Sequence, residues 1–355
     1  MANKNLTSAK RAKNDEFYTQ YNDIQKEVEA YVEYSPDVFR GKTVLLPCDD
    51  PEASQFTRYF AENFERLGLK KLISTSYAPA AKSELYGTLF SYSANGGEKP
   101  LNEHGRIFVL DHDENANGRI DIDDLEWRYL DGDGDFRSGE VRRLRDEADI
   151  IVTNPPFSLF REFLAWIVEA DKRFLVIGNM NAITYKEVFP LIMANRMWLG
   201  NGFAQGNAYF GVADGSKTEY ANGVYDATTN LVKFRNVAWF TNLEHGRRHT
   251  PMELMTETDN IKYSRHKKEV RGVGYRKYDN YDALEVPFTD AIPSDYEGVM
   301  GVPISFLDKY CPEQFSLVGV ANHGKDSEFD LFAPRIAGKE MFKRLLIRIK
   351  KGTKA

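Results

Sequence analysis

Residues 150–157 read IIVTNPPF, an apolar run that stops abruptly at a polar amide and two prolines. The β-branched residues predict a buried strand, because such side chains pack well on a pleated sheet. Asn154 should continue the direction of this strand, since a residue before proline is kept out of the helical region. Pro155 and Pro156 fix the backbone and carry no N–H donors, so we expect the strand to end there.

The residues that follow the strand form a candidate binding site for an aminated aromatic ring. The side-chain carbonyl of Asn154 and the backbone carbonyl of Pro155 offer two acceptors, which suit the two protons of an exocyclic amine. Phe157 offers a ring face for stacking. The alternative is that the prolines merely end a strand while Phe157 packs in the core. The Asn-Pro-Pro-Phe order favours the binding site, because α/β sheets hold ligands at the carboxyl ends of their strands.

Short apolar runs alternate with amphipathic stretches around this strand, which predicts an α/β fold with a parallel sheet. The predicted strands are residues 42–48, 70–77, 106–113, 149–154, 173–180, 196–200 and 236–243. The predicted helices are residues 54–68, 159–170 and 185–195. Residues 15–34 should begin with a polar turn and continue as an amphipathic helix. Residues 201–230 are rich in Gly, Asn and Ala and predict a long loop. The alternation ends near residue 245, where we place a domain boundary.

The composition is that of a soluble globular protein. The chain has 355 residues, enough for two domains, and is 42% hydrophobic and 28% charged. No stretch approaches the roughly 18 apolar residues of a membrane span, and residues 1–16 lack the apolar core of a signal peptide. Cys48 and Cys311 have no partner motif, which fits a reducing cytoplasm and argues against a disulfide scaffold or a zinc cluster.

The net charge of −6 conceals a polarised distribution. Basic residues dominate residues 1–13, 246–277 and 343–355, whereas acidic residues concentrate in residues 111–149. Each basic cluster alone could be a solvated face, but three together favour a polyanionic partner. The candidate contacts to such a partner are Arg247, Arg248, Lys267 and Lys268.

Residues 113–124 read DENANGRIDIDD and match the spacing of a calcium loop, with glycine at the sharp-turn position. The oxygen-bearing residues at loop positions 1, 3, 5, 9 and 12 are Asp113, Asn115, Asn117, Asp121 and Asp124. The alternative is an acidic turn without an ion, because Asp, Asn and Gly favour turns by themselves. If calcium binds here, we expect it to be structural.

Several further stretches carry a family resemblance: DIIVTNPPF, DEFYTQYNDI, LLPCDDPEASQF, GDGDFRS, NPPFSLFREF, NAITYKEVF, KYDNYDALEVPFTDAIPSDYEG and GVPISFLDKYCPEQFSLVG. The first resembles motif IV of amino-methyltransferases, which use S-adenosylmethionine to methylate N6 of adenine. The second resembles their N-terminal cofactor motif. The remaining stretches resemble the EcoRI-type adenine-specific modification methylases, and the resemblance covers about residue 14 to about residue 350.

This resemblance implies a Rossmann-like S-adenosylmethionine-dependent methyltransferase sheet flanked by helices, plus a C-terminal target-recognition region. Together with the charge pattern and the end of the α/β alternation, it leads us to expect three parts: a flexible basic arm at 1–13, a catalytic domain at 14–245 with an acidic insert at about 111–134, and a DNA target-recognition region at 246–355. The implied catalytic residues are Asn154, Pro155, Pro156 and Phe157. The implied cofactor-binding residues are Tyr18, Thr19, Asp49, Asp50, Asp135 and Phe136. One departure is that PCDDP at residues 47–51 replaces the usual glycine-rich cofactor loop.

The implied activity is methyl transfer from S-adenosylmethionine to a flipped-out adenine in duplex DNA, without a catalytic metal. The expected setting is the cytoplasm of a bacterium, or of a cell infected by a phage, where a cognate restriction endonuclease could act without forming a stable complex. An aromatic residue at position 203, 209 or 210 should help hold the base, and the sequence does not choose among them.

Several alternatives stay open from the sequence. They are a protein glutamine methyltransferase, an RNA base methyltransferase and a non-catalytic DNA-binding protein, and the intact motif at residues 154–157 argues against the last. A cytosine-N4 enzyme more often carries Ser or Asp where Asn154 stands.

Overall fold

The computed structural model describes residues 18–49, 54–78, 104–203, 207–211, 224–321 and 330–350. These residues form two compact units. The first is drawn from Met1–Met180 and Gly200–Leu243, and the second from Asn181–Leu199 and Glu244–Ala355. Every helix in the described ranges falls short of the length and apolar character that a membrane-spanning segment requires. The predicted basic arm lies outside the described residues.

The described residues contain twenty strands, seven α-helices and six 3-10 helices. The strands are β1 Tyr18–Thr19, β2 Thr43–Pro47, β3 Lys71–Ser76, β4 Arg106–Leu110, β5 Glu126–Tyr129, β6 Ile150–Thr153, β7 Arg173–Asn179, β8 Trp198–Leu199, β9 Asn207–Gly211, β10 Tyr225–Asp226, β11 Leu231–Arg235, β12 Val237–Thr241, β13 Arg276–Lys277, β14 Ala283–Glu285, β15 Val299–Pro303, β16 Phe315–Ala321, β17 Asp330–Leu331, β18 Arg335–Ile336, β19 Lys339–Glu340 and β20 Arg344–Ile349. The α-helices are α1 Tyr21–Tyr34, α2 Gln55–Glu62, α3 Phe64–Leu67, α4 Gly139–Glu147, α5 Phe160–Glu169, α6 Phe189–Met193 and α7 Glu257–Tyr263. The 3-10 helices are Ile122–Asp124, Phe157–Leu159, Met180–Thr184, Gly246–His249, Thr289–Ala291 and Ile304–Lys309.

The central sheet of the first unit has the strand order β5-β4-β3-β2-β6-β7-β12. Its middle strands β3, β2, β6 and β7 run parallel to one another. The outer strands β4, β5 and β12 pair antiparallel with their neighbours. The prediction of a parallel sheet is therefore correct for the middle and wrong at both edges. β5 follows β4, and β12 follows β11, without the crossover α-helix that usually precedes a parallel strand.

The helix that follows β2 is shorter than its sequence pattern predicts. It begins after Ser54, whose hydroxyl oxygen accepts hydrogen bonds from the backbone N–H groups of Phe56 (3.1 Å) and Thr57 (3.5 Å). The single helix predicted at residues 54–68 is two helices, α2 and α3, because the backbone leaves helical geometry at Asn63 (φ −110°).

A second sheet of the first unit has the order β1-β9-β11-β10 and is antiparallel throughout. Alternate side chains of β9 and β11 lie on its buried face, because successive side chains of a strand point to opposite faces. They are Ala208, Phe210, Val232 and Phe234. The predicted loop at residues 201–230 is therefore wrong at β9 and β10. These strands have five and two residues, and so short an alternation among Gly and Asn does not stand out in a sequence.

The second unit is built on a six-stranded sheet with the order β13-β14-β15-β20-β16-β17. β20 lies between β15 and β16 and is antiparallel to both, and its first four residues are buried. The sequence beyond residue 245 shows little periodicity because its strands are short and pair with partners from distant segments. Residues 181–199, which the sequence analysis assigned to the catalytic domain, group with this unit, where α6 contacts β16.

A buried carboxylate ties α1 to the segment that leads into β9. Glu27 is fully buried and accepts hydrogen bonds from the backbone N–H groups of Asn201 (2.8 Å) and Gly202 (2.8 Å). It also accepts one from the hydroxyl of Tyr31 (2.7 Å), whose pKa is raised well above its ordinary value by burial and by Glu27. Gly200 must lack a side chain, because a Cβ there would lie 2.1 Å from Glu27 Oε1.

We predict that Glu27→Ala destabilises the protein by about 3 kcal/mol or more, because each buried donor left unpaired costs about 1–3 kcal/mol. The matched control is Glu33→Ala, which removes an exposed carboxylate from the same helix. Urea unfolding followed by circular dichroism gives both free energies of unfolding. Equal values for the two variants would contradict the anchoring role of Glu27.

Candidate active site

A cavity of about 230 Å³ opens in the first unit at the carboxyl ends of β2, β3 and β6. Seven residues singled out from the sequence line it: Tyr18, Thr19, Asp49, Asp135, Phe136, Asn154 and Pro156. They come from four segments that are far apart in the chain. The fold therefore brings the predicted cofactor residues and the predicted catalytic amide around one space.

Asp50 lies outside the described residues. Two other predicted residues, Pro155 and Phe157, do not line this cavity. Pro155 is buried. Phe157 is half-buried, and its ring packs edge-on against Phe210 (6.5 Å) and Phe234 (6.4 Å) of the second sheet. Core packing, the alternative left open for Phe157, thus accounts for part of its surface, and stacking on a base stays a prediction.

The carboxylate of Asp49 is held at the base of the cavity by hydroxyl groups. The hydroxyl of Ser54 donates to one oxygen (2.8 Å), and the hydroxyl of Thr153 lies 2.6 Å from the other. Asp49 is only 7% exposed. A carboxylate can accept about four hydrogen bonds, so Asp49 keeps acceptor capacity for a donor inside the cavity.

The turn between β2 and Asp49 is made by a residue whose backbone conformation is rare for residues other than glycine. Cys48 has a φ of +86°, in the region that favours glycine. Backbone N–H groups of Cys48 and Asp49 both donate to the carbonyl of Thr75, at 3.1 and 3.0 Å, and hold this turn on β3. The chain therefore makes a sharp turn here without the glycine-rich sequence that the family resemblance leads one to expect.

Asp135 is paired with an arginine at the cavity wall. The guanidinium of Arg137 donates to both carboxylate oxygens, at 2.9 and 2.7 Å. This pairing lowers the pKa of Asp135 below its ordinary value, so the carboxylate is charged and accepts hydrogen bonds. The neighbouring Phe136 presents its ring beside the cavity and packs edge-on against Phe163 (5.1 Å) and Trp166 (5.7 Å).

The loop that carries Asp135 is pressed against the end of β3. Gly134 has a φ of +82°, and a Cβ there would lie 2.4 Å from the carbonyl oxygen of Ser76. Gly105 also lies close to this carbonyl, since a Cβ added there would lie 2.6 Å from the same oxygen. The backbone N–H of Ala78 also donates to the carbonyl of Asp133 (2.7 Å). Glycine is therefore required where the loop meets the strand.

Sequence reasoning missed several polar residues of the cavity: Ser54, Ser76, Tyr77 and Arg137. For Ser76, Tyr77 and Arg137 the signal available was position, because each stands next to a predicted site residue or at the end of a predicted strand. Ser54 stands at the start of a predicted helix. The buried hydroxyls of Ser76 and Thr19 have no hydrogen-bond partner within the described part of the chain. Both line the cavity and suit a polar ligand.

In the second unit, both predicted arginines already have partners within the protein. Arg248 is 3% exposed, pairs with Glu244 (2.6 Å) and lies over the ring of Trp198 (3.6 Å). Arg247 is partly exposed and pairs with Asp308 (2.5 Å). A run of arginines in a sequence does not reveal which of them has a carboxylate within reach. The contact of both residues with DNA stays a prediction.

Lys267 and Lys268 differ from these arginines. Both side chains are exposed, and neither forms an ion pair with another described residue. They are open to a polyanion, and their contact with DNA stays a prediction.

The predicted calcium loop is held together by hydrogen bonds from its own backbone. The carboxylate of Asp113 accepts from the N–H groups of Asn117 (3.1 Å) and Gly118 (2.7 Å). The carboxylate of Asp124 accepts from Asn115 (3.1 Å) and Asp121 (3.0 Å). These bonds explain the turn without an ion, and calcium binding stays a prediction.

Melting temperature tests this loop. If Asp113, Asn115, Asn117, Asp121 and Asp124 bind calcium, the ion raises the melting temperature of the wild type, and a chelator reverses the rise. Asp113→Ala should abolish the response, whereas Asp123→Ala, outside the ligand positions, should keep it. A wild type that melts identically with calcium and with chelator would leave the loop as a plain turn.

Comparison with known proteins identifies the family. The family model described as adenine-specific methyltransferase EcoRI matches residues 5–350. Type II methyltransferase M.EcoRI of Escherichia coli is 42% identical over 350 residues, which cover 98% of this chain and 97% of that protein. Type II methyltransferase M.MpnI of Mycoplasma pneumoniae is 34% identical over 87% of this chain and 83% of its own length. No solved structure matches the chain. The chain therefore belongs to the adenine-specific methyltransferase EcoRI family.

Proposed function

We propose that this chain is a site-specific DNA adenine N6-methyltransferase that modifies a flipped-out adenine in duplex DNA. The observation that carries the proposal is the single cavity that joins Asn154 to Asp49, Asp135 and Phe136. The central sheet would then be the Rossmann-like S-adenosylmethionine sheet, with the cavity at the carboxyl ends of its parallel strands. The expected setting is a bacterial restriction-modification system, and a cognate endonuclease would recognise the same site.

The donor set of the cavity fits S-adenosylmethionine. The carboxylate of Asp49 would hold the ammonium of the methionine moiety, since a charge-assisted hydrogen bond suits that pair. Asp135 would accept from the adenine amine, and Phe136 would pack against the adenine ring. Tyr18 and Thr19 would close over the methionine end. When bound, S-adenosylmethionine supplies an electrophilic methyl group on a sulfonium.

Asn154 would prepare the target amine for attack. The lone pair of the adenine N6 atom is delocalised into the ring, so the free amine is a weak nucleophile. The side-chain carbonyl of Asn154 and the backbone carbonyl of Pro155 would accept its two protons and favour a pyramidal nitrogen. This is catalysis by positioning and electrostatics, and it needs no covalent enzyme intermediate.

The second unit would recognise the DNA target. Lys267 and Lys268 are exposed and would contact phosphates, together with the basic arm at residues 1–13. Flipping the adenine out of the duplex costs a few kcal/mol. Stacking of the base on an aromatic side chain such as Phe157 would recover roughly 1–3 kcal/mol.

Labelled methyl transfer tests the proposed function against its rivals. The protein is incubated with tritiated S-adenosylmethionine and with duplex DNA, RNA or protein, and the labelled product is identified. N6-methyladenine in DNA is the expected product. Label in protein glutamine, in RNA or at N4 of cytosine would replace the proposal with the corresponding rival, and no transfer at all would leave a non-catalytic protein.

We predict that Asn154→Ala lowers turnover by at least 10²–10³-fold, the loss typical of removing one group that stabilises the transition state. Affinity for S-adenosylmethionine should stay near that of the wild type, because the other cavity residues are kept. Asn154→Asp, which keeps an acceptor oxygen, should retain more activity than Asn154→Ala. Turnover in Asn154→Ala equal to that of the wild type would overturn the assigned mechanism.

We predict that Gly134→Ala weakens S-adenosylmethionine binding by about tenfold or more, equivalent to about 1.4 kcal/mol. The added Cβ would collide with Ser76 and displace Asp135 and Phe136. The matched control is Gly132→Ala in the same loop, where the nearest atom lies 4.0 Å from the added Cβ. Titration calorimetry gives both affinities, and an unchanged value for Gly134→Ala would remove the loop from the binding site.

A further inference from the structure

The outer face of the second sheet in the first unit carries aromatic and cationic side chains. Tyr209 on β9 is 41% exposed and stands directly opposite Lys233 on β11. The ammonium of Lys233 lies 5.6 Å from the centre of the Tyr209 ring, a cation–π contact that orients the charge. Arg235, two residues along the same strand, is exposed and lies on the same face.

The opposite face of this sheet supports the catalytic motif. Phe210 and Phe234 are fully buried there and contact the ring of Phe157. A strand sends alternate side chains to opposite faces, so neighbours in sequence serve the two faces separately. One short sheet thus supports the Asn-Pro-Pro-Phe motif with its inner side and presents Tyr209 and Lys233 with its outer side.

The outer face also reaches the rim of the cavity. Tyr18 on β1 pairs with Gly211 on β9, and residues that pair directly point to the same face of a sheet. Gly211 lies two residues after Tyr209 on β9, so both positions are on the outer face. Tyr18, a cavity-lining residue, therefore shares the outer face with Tyr209. A continuous surface therefore leads from the cavity through Tyr18 and Tyr209 to Lys233.

We propose that this outer face, formed by Tyr209, Lys233 and Arg235, holds the phosphate backbone of duplex DNA beside the flipped adenine. This inference rests on the proposed function and adds a DNA contact within the catalytic unit. Side chains two residues apart on a strand are separated by roughly 6.6 Å, which is comparable to the spacing of neighbouring phosphates along one DNA strand. Within described β9 and β11, the outward side chains include two cations and no acid.

The acid that β10 contributes to this sheet accepts a hydrogen bond within its own turn. Asp226 on β10 pairs with Leu231, and its carboxylate accepts from the backbone N–H of Thr228 (2.9 Å). That hydrogen bond lowers the pKa of Asp226 below its ordinary value and draws the carboxylate into its own turn. Asp226 stays ionised in that turn on β10. The outward side chains of the described β9 and β11 carry only positive charge, as a phosphate contact requires.

The test is the salt dependence of DNA binding by the full chain, measured with fluorescein-labelled duplex fragments of unmethylated genomic DNA. Lys233→Gln should weaken binding and reduce the log–log salt slope by about 0.9, the value for one lost phosphate contact on duplex DNA. Arg235→Gln should act in the same direction. Lys233→Arg keeps the charge and should keep the wild-type slope, which separates charge from damage to the sheet.

Two controls make the outcome decisive. Arg128→Gln removes an exposed cation from β5, an edge strand of the central sheet that does not belong to the proposed surface, and should leave the slope unchanged. S-adenosylmethionine affinity should stay at the wild-type value in the Lys233 variants. A wild type that methylates DNA while Lys233→Gln keeps the full slope overturns this inference alone. A wild type that neither binds nor methylates DNA overturns the proposed function and this inference with it.

Discussion

Several segments of the first unit contact Asp49 at the candidate site. Its oxygens contact the hydroxyls of Thr153 at the end of β6 and Ser54 at the start of α2. Its backbone carbonyl accepts from the hydroxyl of Ser74 in β3 (2.7 Å). Since Ser54 also caps α2, one acidic residue links β6, β3 and the start of a helix just after β2 ends. These hydroxyls stabilise the charge and add none of their own, so a cationic ligand group is the natural complement.

The second sheet connects that arrangement to the Asn-Pro-Pro-Phe motif. Its inner face packs on Phe157, and the buried carboxylate of Glu27 fixes the segment that leads into it. β1 belongs to the same sheet and delivers Tyr18 and Thr19 to the cavity. A displacement of this sheet would therefore disturb both the cavity wall at Tyr18 and Thr19 and the packing around Phe157. The buried carboxylate of Glu27 is thus coupled to the geometry of the candidate site through this sheet.

The sequence predicted the elements that carry strong local signals. The buried runs that became β2, β3, β6 and β7 were found because each is a continuous apolar segment, and the sharp end at Asn154 followed from its prolines. The antiparallel direction of the edge strands was missed because the direction of a strand depends on how the chain connects it to its neighbours. An apolar run such as β12 has the same sequence pattern in either direction. In the second unit, the two-residue β13 and the three-residue β14 were missed because they are too short for a period to be visible.

The candidate site was predictable to the extent that its residues follow strand ends or match the family. Asp49 and Asn154 met both conditions and Asp135 met the second, and the structure brings all three around one cavity. Ser76 and Arg137 carry no pattern of their own. Their place in the cavity depends on the close approach of Gly134 to β3, a contact between segments that the sequence separates by more than fifty residues.

Charge was the least predictable property, because the count of cations in a segment does not give the charge that a partner meets. Arg247, Arg248 and Arg265 lie in the most basic stretch of the chain, and each is paired with a carboxylate. Lys267 and Lys268 in the same stretch are exposed, and none of the described carboxylates pairs with them. A phosphate competes poorly for a guanidinium that already has a partner, because the existing charge-assisted hydrogen bonds must first be broken. DNA affinity should therefore depend on a few exposed lysines in the second unit and on the outer face of β9 and β11, so a chain of net charge −6 can bind a polyanion.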